Sequence, residues 1–391
     1  MEIYYGLQKE GKNSIVRTVR VVGMKARSFR VFIQKEPVLS IALVLAFFSL
    51  FLVPPNIGYS EYIDWKTLGC LFALMLVVAG FRKMFVFIKL SSILLHYSHT
   101  PRQVSLILVG ITFFSSMLVT NDVALITFVP LTIVVFSVCK ETKPILFTIV
   151  LQTLAANVGS SLTPVGNPQN LFIYSYYHVS LSSFFSTMLP YVLSGGVLIA
   201  LLLFFIPKRS ESFTLQVQEV PPIHTGNLIR YSFLFLLSLL AVFDLVPWPI
   251  VVLLVIIGSE KVLLKKVDYS LLLTFIGFFI FVGNIGQLKQ VTNSLTKLLE
   301  TREFIVSLLA SQLISNVPAT LLLAQFTDNA TELLKGVNAG GCGTLIASMA
   351  SVISFKIFAH YDPKRSLAYL GLFTLVNILF VILFLLIHRF W

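Results

Sequence analysis

From about residue 38 to its end, the chain is a series of apolar runs separated by short polar turns. A helix that crosses a membrane needs roughly 20 mostly apolar residues. We therefore predict transmembrane helices at Val38–Val53, Ile63–Gly80, Phe184–Ile206, Leu228–Leu245, Pro249–Gly258 with extensions at both ends, Ser270–Val282 and Leu367–Ile387. Two amphipathic stretches, 82–101 and Ile285–Thr301, are predicted to lie in the membrane interface.

Two further pairs of apolar runs are each joined by a polar turn. The runs Val104–Leu118 and Val123–Val138 flank Thr120-Asn121-Asp122, and the runs Phe304–Ile314 and Ala319–Phe326 flank Ser315-Asn316-Val317-Pro318. We interpret each pair as a re-entrant hairpin whose polar tip lies near the middle of the membrane. The alternative role of the tip side chains is simply to cap the returning helix, and the sequence leaves both roles open.

Two longer apolar segments are interrupted by polar residues. The first, Ile145–Tyr177, is interrupted at Asn157–Leu171, where glycines and prolines rule out a continuous helix. The second runs from about Leu334 to Phe358 and is interrupted at Asn338–Ser351. Broken helices at membrane depth form the substrate and ion sites of secondary transporters. An exposed loop between two short helices is the alternative interpretation.

The two interruptions share one spacing, because Asn157 precedes Thr163 by six residues, as Asn338 precedes Thr344. In this register Asn167 corresponds to Ser348. The segments that open two of the predicted spans also match, as Ile63-Asp64-Trp65-Lys66-Thr67-Leu68 and Val267-Asp268-Tyr269-Ser270-Leu271-Leu272. Each is followed by the same order of elements, which indicates an internal repeat.

The predicted fold is an all-α polytopic membrane protein with two inverted-topology repeats. Each repeat holds one re-entrant hairpin and one broken transmembrane helix, and the chain has about nine full spans and two hairpins. The predicted boundaries are an N-terminal segment at 1–37, a first repeat at 38–206, a cytoplasmic linker and linker helix at 207–246, and a second repeat at 247–391.

Composition and charge support a membrane protein and set its orientation. The chain is 57% hydrophobic and only 12% charged, which excludes an ordinary soluble domain. With a cytoplasmic N-terminus, 23 of the 29 Lys and Arg residues fall in predicted inside segments and 6 in outside segments. The net charge of +12 is thus explained without nucleic acid, and we expect a multi-pass protein of the plasma membrane. The three cysteines have neither disulfide nor metal-site spacing.

The N-terminal segment has its own pattern. Residues 13–34 place Ile15, Val19, Val22 and Ala26 on one helical face, with arginines and lysines around much of the rest. We predict a basic amphipathic helix on the cytoplasmic leaflet. A solvated disordered tail and a nucleic-acid-binding arm are the alternatives.

The candidate site combines the two tips and the two interruptions. Asn167 followed by Pro168 is typical of a helix start, which would direct the positive end of a helix dipole into the first interruption. Amide, hydroxyl and carbonyl oxygens suit Na⁺, for which the candidate ligands are Asn121, Asn157, Asn316 and Asn338. Asp122 is the one carboxylate expected at the centre. The candidate substrate- and ion-binding residues are Thr120, Asn121, Asp122, Asn157, Ser160, Ser161, Thr163, Gly166, Asn167, Asn170, Ser315, Asn316, Asn338, Gly341, Thr344 and Ser348.

Four motifs together resemble the paired signatures of the ion transporter superfamily: TNDVALITFVP, NVGSSLTPVGNPQN, SNVPAT and NAGGCGTLIAS. That superfamily includes divalent anion:sodium symporters, citrate carriers, arsenite permeases and a class of Na⁺/H⁺ antiporters. The resemblance covers roughly residues 38–391 and implies an elevator-type mechanism, often in a homodimer. The Thr-Asn-Asp tip and Ser-Asn-Val-Pro resemble the arsenite permeases, whereas Gly-Asn-Pro-Gln-Asn resembles the carboxylate carriers. The Ser-Asn-Thr triplet typical of both tips in those carriers occurs at neither tip here.

The leading hypothesis is an ion-coupled secondary transporter of a small anion, driven by Na⁺ or H⁺ and needing no other cofactor. A cation/proton antiporter or an arsenite-type efflux permease on the same fold is the nearest alternative. A channel is disfavoured by two hairpins closed around a midplane site. An enzyme or an ATP-driven pump is disfavoured because the HExxH, Gly-x-Ser-x-Gly and Walker A patterns are all lacking.

Overall fold

The computed structural model describes residues 36–55, 57–96, 98–139, 142–208 and 222–391. Within these ranges all regular secondary structure is helical, and no strand is present. The amphipathic helix predicted for the N-terminal segment and most of the predicted polar linker lie outside the described residues.

Eight α-helices precede the linker and ten follow it within the described ranges. The first set is α1 (Pro37–Ser49), α2 (Trp65–Lys83), α3 (Val86–Leu95), α4 (Pro101–Ser116), α5 (Asn121–Val138), α6 (Ile145–Ser160), α7 (Pro168–Tyr176) and α8 (Leu181–Leu203). The second set is α9 (Thr225–Val242), α10 (Trp248–Gly258), α11 (Lys261–Leu264), α12 (Tyr269–Gly286), α13 (Lys289–Leu299), α14 (Glu303–Ile314), α15 (Asn316–Leu323), α16 (Ala330–Gly340), α17 (Met349–Tyr361) and α18 (Ser366–Phe390).

Six helical segments in the described part of the chain are long and apolar enough to cross a membrane. Five are α2, α5, α8, α9 and α12, and the sixth is Pro363–Phe390, which contains α18. Their outer faces carry exposed large apolar side chains such as Leu193, Val197 and Leu375, as lipid-facing helices do. The prediction of an all-α polytopic membrane protein is therefore confirmed. Helices α1, α3, α6, α10 and α14 are apolar but shorter.

Five helices, α1, α2, α9, α10 and α12, form what we call the framework. Helix α1 packs along α12, and α2 packs against both α9 and α10. Ion pairs at the ends of α2 reinforce this group: Lys66 lies 2.6 Å from Asp244, and Lys83 contacts Glu260. Glu260 also lies 3.6 Å from Arg230. The framework is thus held together by contacts between segments far apart in the sequence.

The remaining long-range packing defines what we call the inner bundle, made of α4 to α8 and α14 to α18. Helix α4 packs along α6, α14 packs along α16, and α5 contacts α17 across the bundle. The close crossings require glycine, because a Cβ atom at Gly159 would lie 2.2 Å from the Phe113 carbonyl oxygen. A Cβ atom at Gly336 would likewise lie 2.4 Å from the carbonyl oxygen of Phe304. The backbones of the paired helices therefore approach closely.

The second hairpin turn is shorter than predicted. Helix α14 ends at Ile314 and α15 begins at Asn316, so Ser315 alone makes the turn, with a φ of 73°. Pro318 was predicted to lie in the turn, but it lies in the first turn of α15. Proline is tolerated there because its missing N–H would have no partner within the helix.

Both interruptions are shorter than predicted as well. Helix α6 continues beyond Ala156 to Ser160, and α7 already begins at Pro168, which leaves residues 161–167 outside both helices. The helix persists through Asn157 and Gly159 because these residues are buried between neighbouring helices, where unpaired backbone groups are costly. The second interruption covers residues 341–348.

Lys335, one of the six Lys and Arg residues assigned to outside segments, has a buried environment. Lys335 lies within α16, is only 6% exposed, and places its Nζ 2.9 Å from Glu332 Oε1. The second oxygen of Glu332 lies 3.4 Å from His388 Nδ1. The second broken segment therefore begins about one turn earlier than predicted, at Ala330, and its first half carries a paired buried charge.

Candidate functional site

A cavity of about 100 Å³ lies between the framework and the inner bundle. Framework helices α1 and α12 supply one wall, and four inner-bundle helices supply the other. The polar residues that line the cavity are Glu36, Asn121, Asp122, Gln169, Asp268, Ser270, Thr274, Asn316 and Ser348. No Lys or Arg is among the described residues that line it.

The N-termini of four helices meet at this cavity. Helices α5, α7, α15 and α17 begin at Asn121, Pro168, Asn316 and Met349, and all four of these residues line the cavity. The first turn of a helix carries a partial positive charge and backbone N–H groups without an intrahelical acceptor. Four converging N-termini therefore make this cavity suitable for an anion or for a ligand rich in oxygen atoms.

The residues that precede these four helices do not cap them. They are Thr120, Asn167, Ser315 and Ser348, which are good capping residue types, yet none of their side chains bonds to the first turn of the helix that follows. Five other described helices, α2, α4, α8, α12 and α16, do have a side-chain cap. The side chains that accept a hydrogen bond from the first turn of these helices are, in the same order, Asp64, Thr100, Ser180, Asp268 and Asn329. The four N-termini thus differ from the five described helix starts at which a residue of a capping type does cap.

Three carboxylates line the cavity. Asp122 belongs to the inner bundle, and its Oδ1 is buried without a hydrogen-bond partner. Glu36 and Asp268 belong to the opposite wall, where Asp268 Oδ1 accepts a hydrogen bond of 3.0 Å from the Leu271 N–H. Asp122 was expected to be the one carboxylate at the centre, and Asp268 to lie at a span end in the interface. The structure places Glu36 and Asp268 on the same cavity as Asp122.

A buried amide cluster behind the cavity wall joins the two halves of the chain. Asn121 Nδ2 donates to Asn157 Oδ1 at 3.0 Å, and the Ser348 hydroxyl donates to the same oxygen at 3.0 Å. Asn157 Nδ2 in turn donates to the Gly341 carbonyl and to the Ser351 hydroxyl, both at 3.2 Å. One side chain, Asn157, therefore ties the first hairpin tip to the second interruption.

A second amide contact crosses between the halves. Asn338 Nδ2 donates to Asn170 Oδ1 at 2.8 Å, while Asn170 Nδ2 donates to the carbonyl oxygens of Ser160 and Thr163 at 3.2 Å. Asn167 Nδ2 donates to the Ser160 hydroxyl at 2.7 Å. The first interruption is therefore stabilised from inside by its own amides and from outside by Asn338.

The predicted site residues fall into three groups. Four of them line the cavity: Asn121, Asp122, Asn316 and Ser348. Most of the others form the polar layer behind it or the loops that hold this layer: Thr120, Asn157, Ser160, Ser161, Thr163, Gly166, Asn167, Asn170, Ser315, Asn338 and Gly341. Thr344 is exposed, and its hydroxyl donates to the Gln312 carbonyl oxygen at 3.0 Å, away from the cavity.

The polar residues of this region that sequence reasoning missed include Glu36, Gln169, Asp268 and Gln312. Gln169 follows Pro168 in the first turn of α7, so its place in a predicted helix start was an available signal. Asp268 matched Asp64 in the repeat, but nothing in the sequence showed that it would face the tips. Gln312 lies four residues before Asn316 on an apolar helix, which gave no indication of its contacts with the second interruption.

The fold and this site together describe a membrane transporter built around broken helices, and comparison with known proteins agrees. Residues 31–354 match the model of the citrate transporter family, CitMHS. The match covers most of the chain, and the protein belongs to that family, within the ion transporter superfamily. It is a transporter and not an enzyme.

Individual relatives carry transporter or membrane-protein names. The chain is 33% identical to an uncharacterized transporter of Methanocaldococcus jannaschii over 301 residues, which covers 75% of this chain and 81% of that protein. It is 33% identical to the inner membrane protein YbiR of Escherichia coli over 308 residues, or 75% of this chain and 80% of that protein. A silicon efflux transporter of Oryza sativa is 34% identical over 163 residues, or 40% of this chain and 32% of that protein.

Proposed function

We propose that this protein is a secondary transporter that couples the movement of a small anion to a gradient of Na⁺ or H⁺. The observation that carries the proposal is the meeting of four helix N-termini on one cavity, none of them capped by the residue that precedes the helix. Their dipoles favour negative charge, and none of the described side chains that line the cavity is a Lys or Arg that would hold an anion permanently. A site of this kind can bind an anion and release it.

The size of the cavity favours a small substrate. Pockets for drug-sized ligands measure roughly 300–1,000 Å³, so a cavity of about 100 Å³ is small. A small inorganic anion suits a cavity of that size. We therefore favour inorganic anions over citrate as the substrate, although citrate gives the family its name.

Two inverted repeats account for the packing of the framework. The helix before α2 is α1, and it packs on α12 of the other half; the helix before α12 is α10, and it packs on α2. In the inner bundle, too, helices of one half pack on helices of the other: α5 packs on α17, and α15 packs on α7. Reciprocal contacts of this kind are expected of two halves related by a pseudo-twofold axis in the membrane plane. In this arrangement α4–α5 and α14–α15 are re-entrant hairpins.

An elevator-type movement fits the position of the cavity. The cavity separates α1 and α12 of the framework from helices of the inner bundle, so sliding of the bundle would carry the site past a fixed wall. Glu36 follows a segment rich in Lys and Arg, and Asp268 follows Lys261, Lys265 and Lys266. By the positive-inside rule this end of the framework is cytoplasmic.

The coupling ion has two candidate positions. Amide oxygens of Asn121, Asn157, Asn316 and Asn338 are candidate Na⁺ ligands, since Na⁺ binds uncharged oxygen groups near broken helices. Asp122 is the candidate proton carrier, because its Oδ1 is buried without a partner beside the cavity. A single substitution at Asp122 separates the two roles.

The experiment is uptake into proteoliposomes of phosphate, sulfate, citrate, succinate and arsenite under imposed Na⁺ or H⁺ gradients, for the wild type and Asp122→Asn. If Asp122 carries the proton, the variant loses proton-driven accumulation and keeps exchange without a gradient. If Asp122 is a Na⁺ ligand, Na⁺ stimulation is lost and the pH dependence stays. Wild-type rates in the variant would remove Asp122 from the mechanism. Absence of gradient-driven uptake of every anion tested would overturn the proposed function.

A second function, cation/proton antiport, is favoured by the three carboxylates on the cavity. Carboxylates on facing walls can bind a cation and protons in turn. The ion transporter superfamily, which the four motifs of this chain resemble, includes such antiporters. The same proteoliposomes test this function. A pH gradient that collapses on addition of Na⁺, with no anion uptake, would favour the antiporter over the anion transporter.

A further inference from the structure

Gln169 is a buried side chain that makes no hydrogen bond with the described protein. It is 1% exposed, it lines the cavity, and its Nε2 is buried without a partner. A buried polar group left unpaired costs about 1–3 kcal/mol. Such a group on a cavity wall is therefore a candidate for binding a ligand.

The direction of Gln169 differs from that of its neighbours in the same turn. Asn167 and Asn170 donate to the Ser160 hydroxyl and to the Ser160 and Thr163 carbonyl oxygens, so their amides stabilise the interruption. Neither of them lines the cavity, whereas Gln169 does. Asn167 and Asn170 thus stabilise this turn, and the Gln169 amide is left without a protein partner and can bind a ligand.

Asp122 provides a group of the opposite hydrogen-bonding type on the same cavity. Its Oδ1 is buried and unpaired, and an ionised carboxylate can only accept hydrogen bonds. The Gln169 amide nitrogen can only donate. A ligand that satisfies both must accept a hydrogen bond at one atom and donate one at another.

Among small anions, this requirement separates oxyacids that keep a hydroxyl from those that do not. Hydrogen phosphate has oxygens that accept and at least one hydroxyl that donates at neutral pH. Sulfate has the same tetrahedral shape and no hydroxyl, so one of its charged oxygens would face the Asp122 carboxylate. Glu36 and Asp268 on the opposite wall add to that repulsion.

We propose that Gln169 and Asp122 form a donor–acceptor pair that selects a hydroxyl-bearing oxyanion over an oxyanion of the same shape without a hydroxyl. Gln169 donates to a ligand oxygen, Asp122 accepts from the ligand hydroxyl, and the four helix N-termini hold the remaining oxygens. The inference rests on the proposed function, since it names the kind of anion which that site takes. Asp122 is accordingly the specificity-determining residue of the pair, and Gln169 strengthens binding of the oxyanion.

Calorimetric titration of the purified full-length protein at pH 7 tests the pair, with sodium phosphate and sodium sulfate as probes at one fixed Na⁺ concentration. The wild type should bind phosphate at least about 10-fold more tightly than sulfate, since a hydrogen bond to a charged group is worth about 1.5–3 kcal/mol. Asp122→Asn should bring the two affinities within about 3-fold. Gln169→Leu should weaken phosphate binding about 10-fold or more.

Two controls separate ligand binding from folding. Gln290→Leu makes the same substitution on an exposed residue of α13, away from the cavity, and should leave both affinities unchanged. The thermal unfolding midpoint of ligand-free Gln169→Leu should equal or exceed that of the wild type, because the substitution removes an unpaired buried amide. A purely structural Gln169 would instead give a lower midpoint in this variant.

The outcomes distinguish this inference from the proposed function. Equal affinity of the wild type for phosphate and sulfate, or binding of neither, overturns the selection by Gln169 and Asp122. Unchanged phosphate binding in Gln169→Leu overturns it as well. In each case gradient-driven uptake of another anion would leave the transporter function standing, and its absence would overturn that function separately.

Discussion

The two interruptions in the inner bundle have the same spacing but are stabilised by different side chains. At the first, the hairpin tip reaches the broken helix through the hydrogen bond from Asn121 to Asn157. At the second, the equivalent residues Asn316 and Asn338 make no such bond, and Asn338 Oδ1 is buried without a partner. The comparison shows that two interruptions of the same spacing need not carry the same side-chain chemistry.

The two interruptions share one hydrogen bond, from a threonine hydroxyl to a backbone carbonyl oxygen of the helix before the polar turn. The Thr163 hydroxyl donates to the Met117 carbonyl oxygen, and the Thr344 hydroxyl donates to the Gln312 carbonyl oxygen. Met117 lies four residues before Asn121, as Gln312 lies four residues before Asn316. Met117 and Gln312 therefore occupy matching positions, but Met117 is apolar and Gln312 carries an amide.

The amide of Gln312 closes the second interruption from within its own half. Its Nε2 donates to the Gly340 carbonyl oxygen at 2.7 Å, and its Oε1 accepts from the Thr344 N–H at 2.7 Å. Gly343 makes room for it, because a Cβ atom there would lie 2.1 Å from Gln312 Oε1 and the backbone φ is +153°. The residue at the matching position of the first half is Leu162, which packs with Met117 in an apolar groove.

The two halves consequently have different connections. The first half sends its amides across to the second, through Asn157 to Gly341 and Ser351. The second half sends Asn338 across to Asn170 and holds its own interruption through Gln312. A loss of Asn157 should therefore affect the whole inner bundle, while a loss of Gln312 should stay local.

The largest expected effect concerns the opposite orientation of the two halves. Cysteines placed at Lys83 and Lys143, on either side of the first hairpin, should both label from the cytoplasm. Cysteines at Arg302 and Asp328, around the second hairpin, should both label from outside. All four positions are exposed, and Cys70, Cys139 and Cys342 are buried, so background labelling by a membrane-impermeant maleimide should be low.

Two labelling patterns would contradict the hairpin or the inversion of the two halves. If Lys83 and Lys143 label from opposite faces, the first pair of helices crosses the membrane and is no hairpin. If all four positions label from one face, the halves are not inverted.

The second prediction compares Asn157→Ala with Asn338→Ala. Asn157 holds four partners, and its loss leaves buried groups of both halves unpaired, so we expect a destabilisation of about 3 kcal/mol. Asn338 donates to Asn170 and to the Leu334 carbonyl oxygen and already has an unpaired oxygen, so we expect about 1 kcal/mol. Thermal unfolding in one detergent and uptake in proteoliposomes measure both variants.

Transport should fall in both variants, more than 10-fold for Asn157→Ala. Equal thermal shifts would show that the two halves are linked symmetrically after all. Normal transport by either variant would remove that asparagine from the site.

Part of this architecture could be predicted from the sequence and part could not. The apolar runs and the six-residue spacing from Asn157 and Asn338 predicted the helices and the matched interruptions, because both depend on local pattern. The wall formed by Glu36 and Asp268 could not be predicted, because it depends on how α1 and α12 pack against the inner bundle. Gln312 was missed for a related reason: an isolated glutamine on an apolar helix has no sequence pattern that identifies its partner.

The helix ends also differed for physical reasons. Helix α6 continues past Ala156 because close packing satisfies and buries its last turn, where Gly159 crosses Phe113. The helix starts predicted from capping residue types were placed well at Pro168, but the Asn167 side chain bonds to Ser160 and not to the helix. Residue type thus predicted the position of that helix start and not the use of the side chain.

The smallest expected effect tests the amide that distinguishes the halves. Gln312→Met gives the second half the residue of the first and should destabilise the protein by about 1–2 kcal/mol, since the Gly340 carbonyl and the Thr344 N–H lose their partner. The exposed Gln290→Met is the matched control and should shift the thermal unfolding midpoint little.

The reciprocal Met117→Gln should not gain stability alone, because Leu162 occupies the space that Gly343 leaves open in the second half. Met117→Gln combined with Leu162→Gly should recover part of the loss that Met117→Gln causes. An unchanged midpoint in Gln312→Met would mean that the second interruption holds its shape without Gln312, and the difference between the halves would then be one of composition alone.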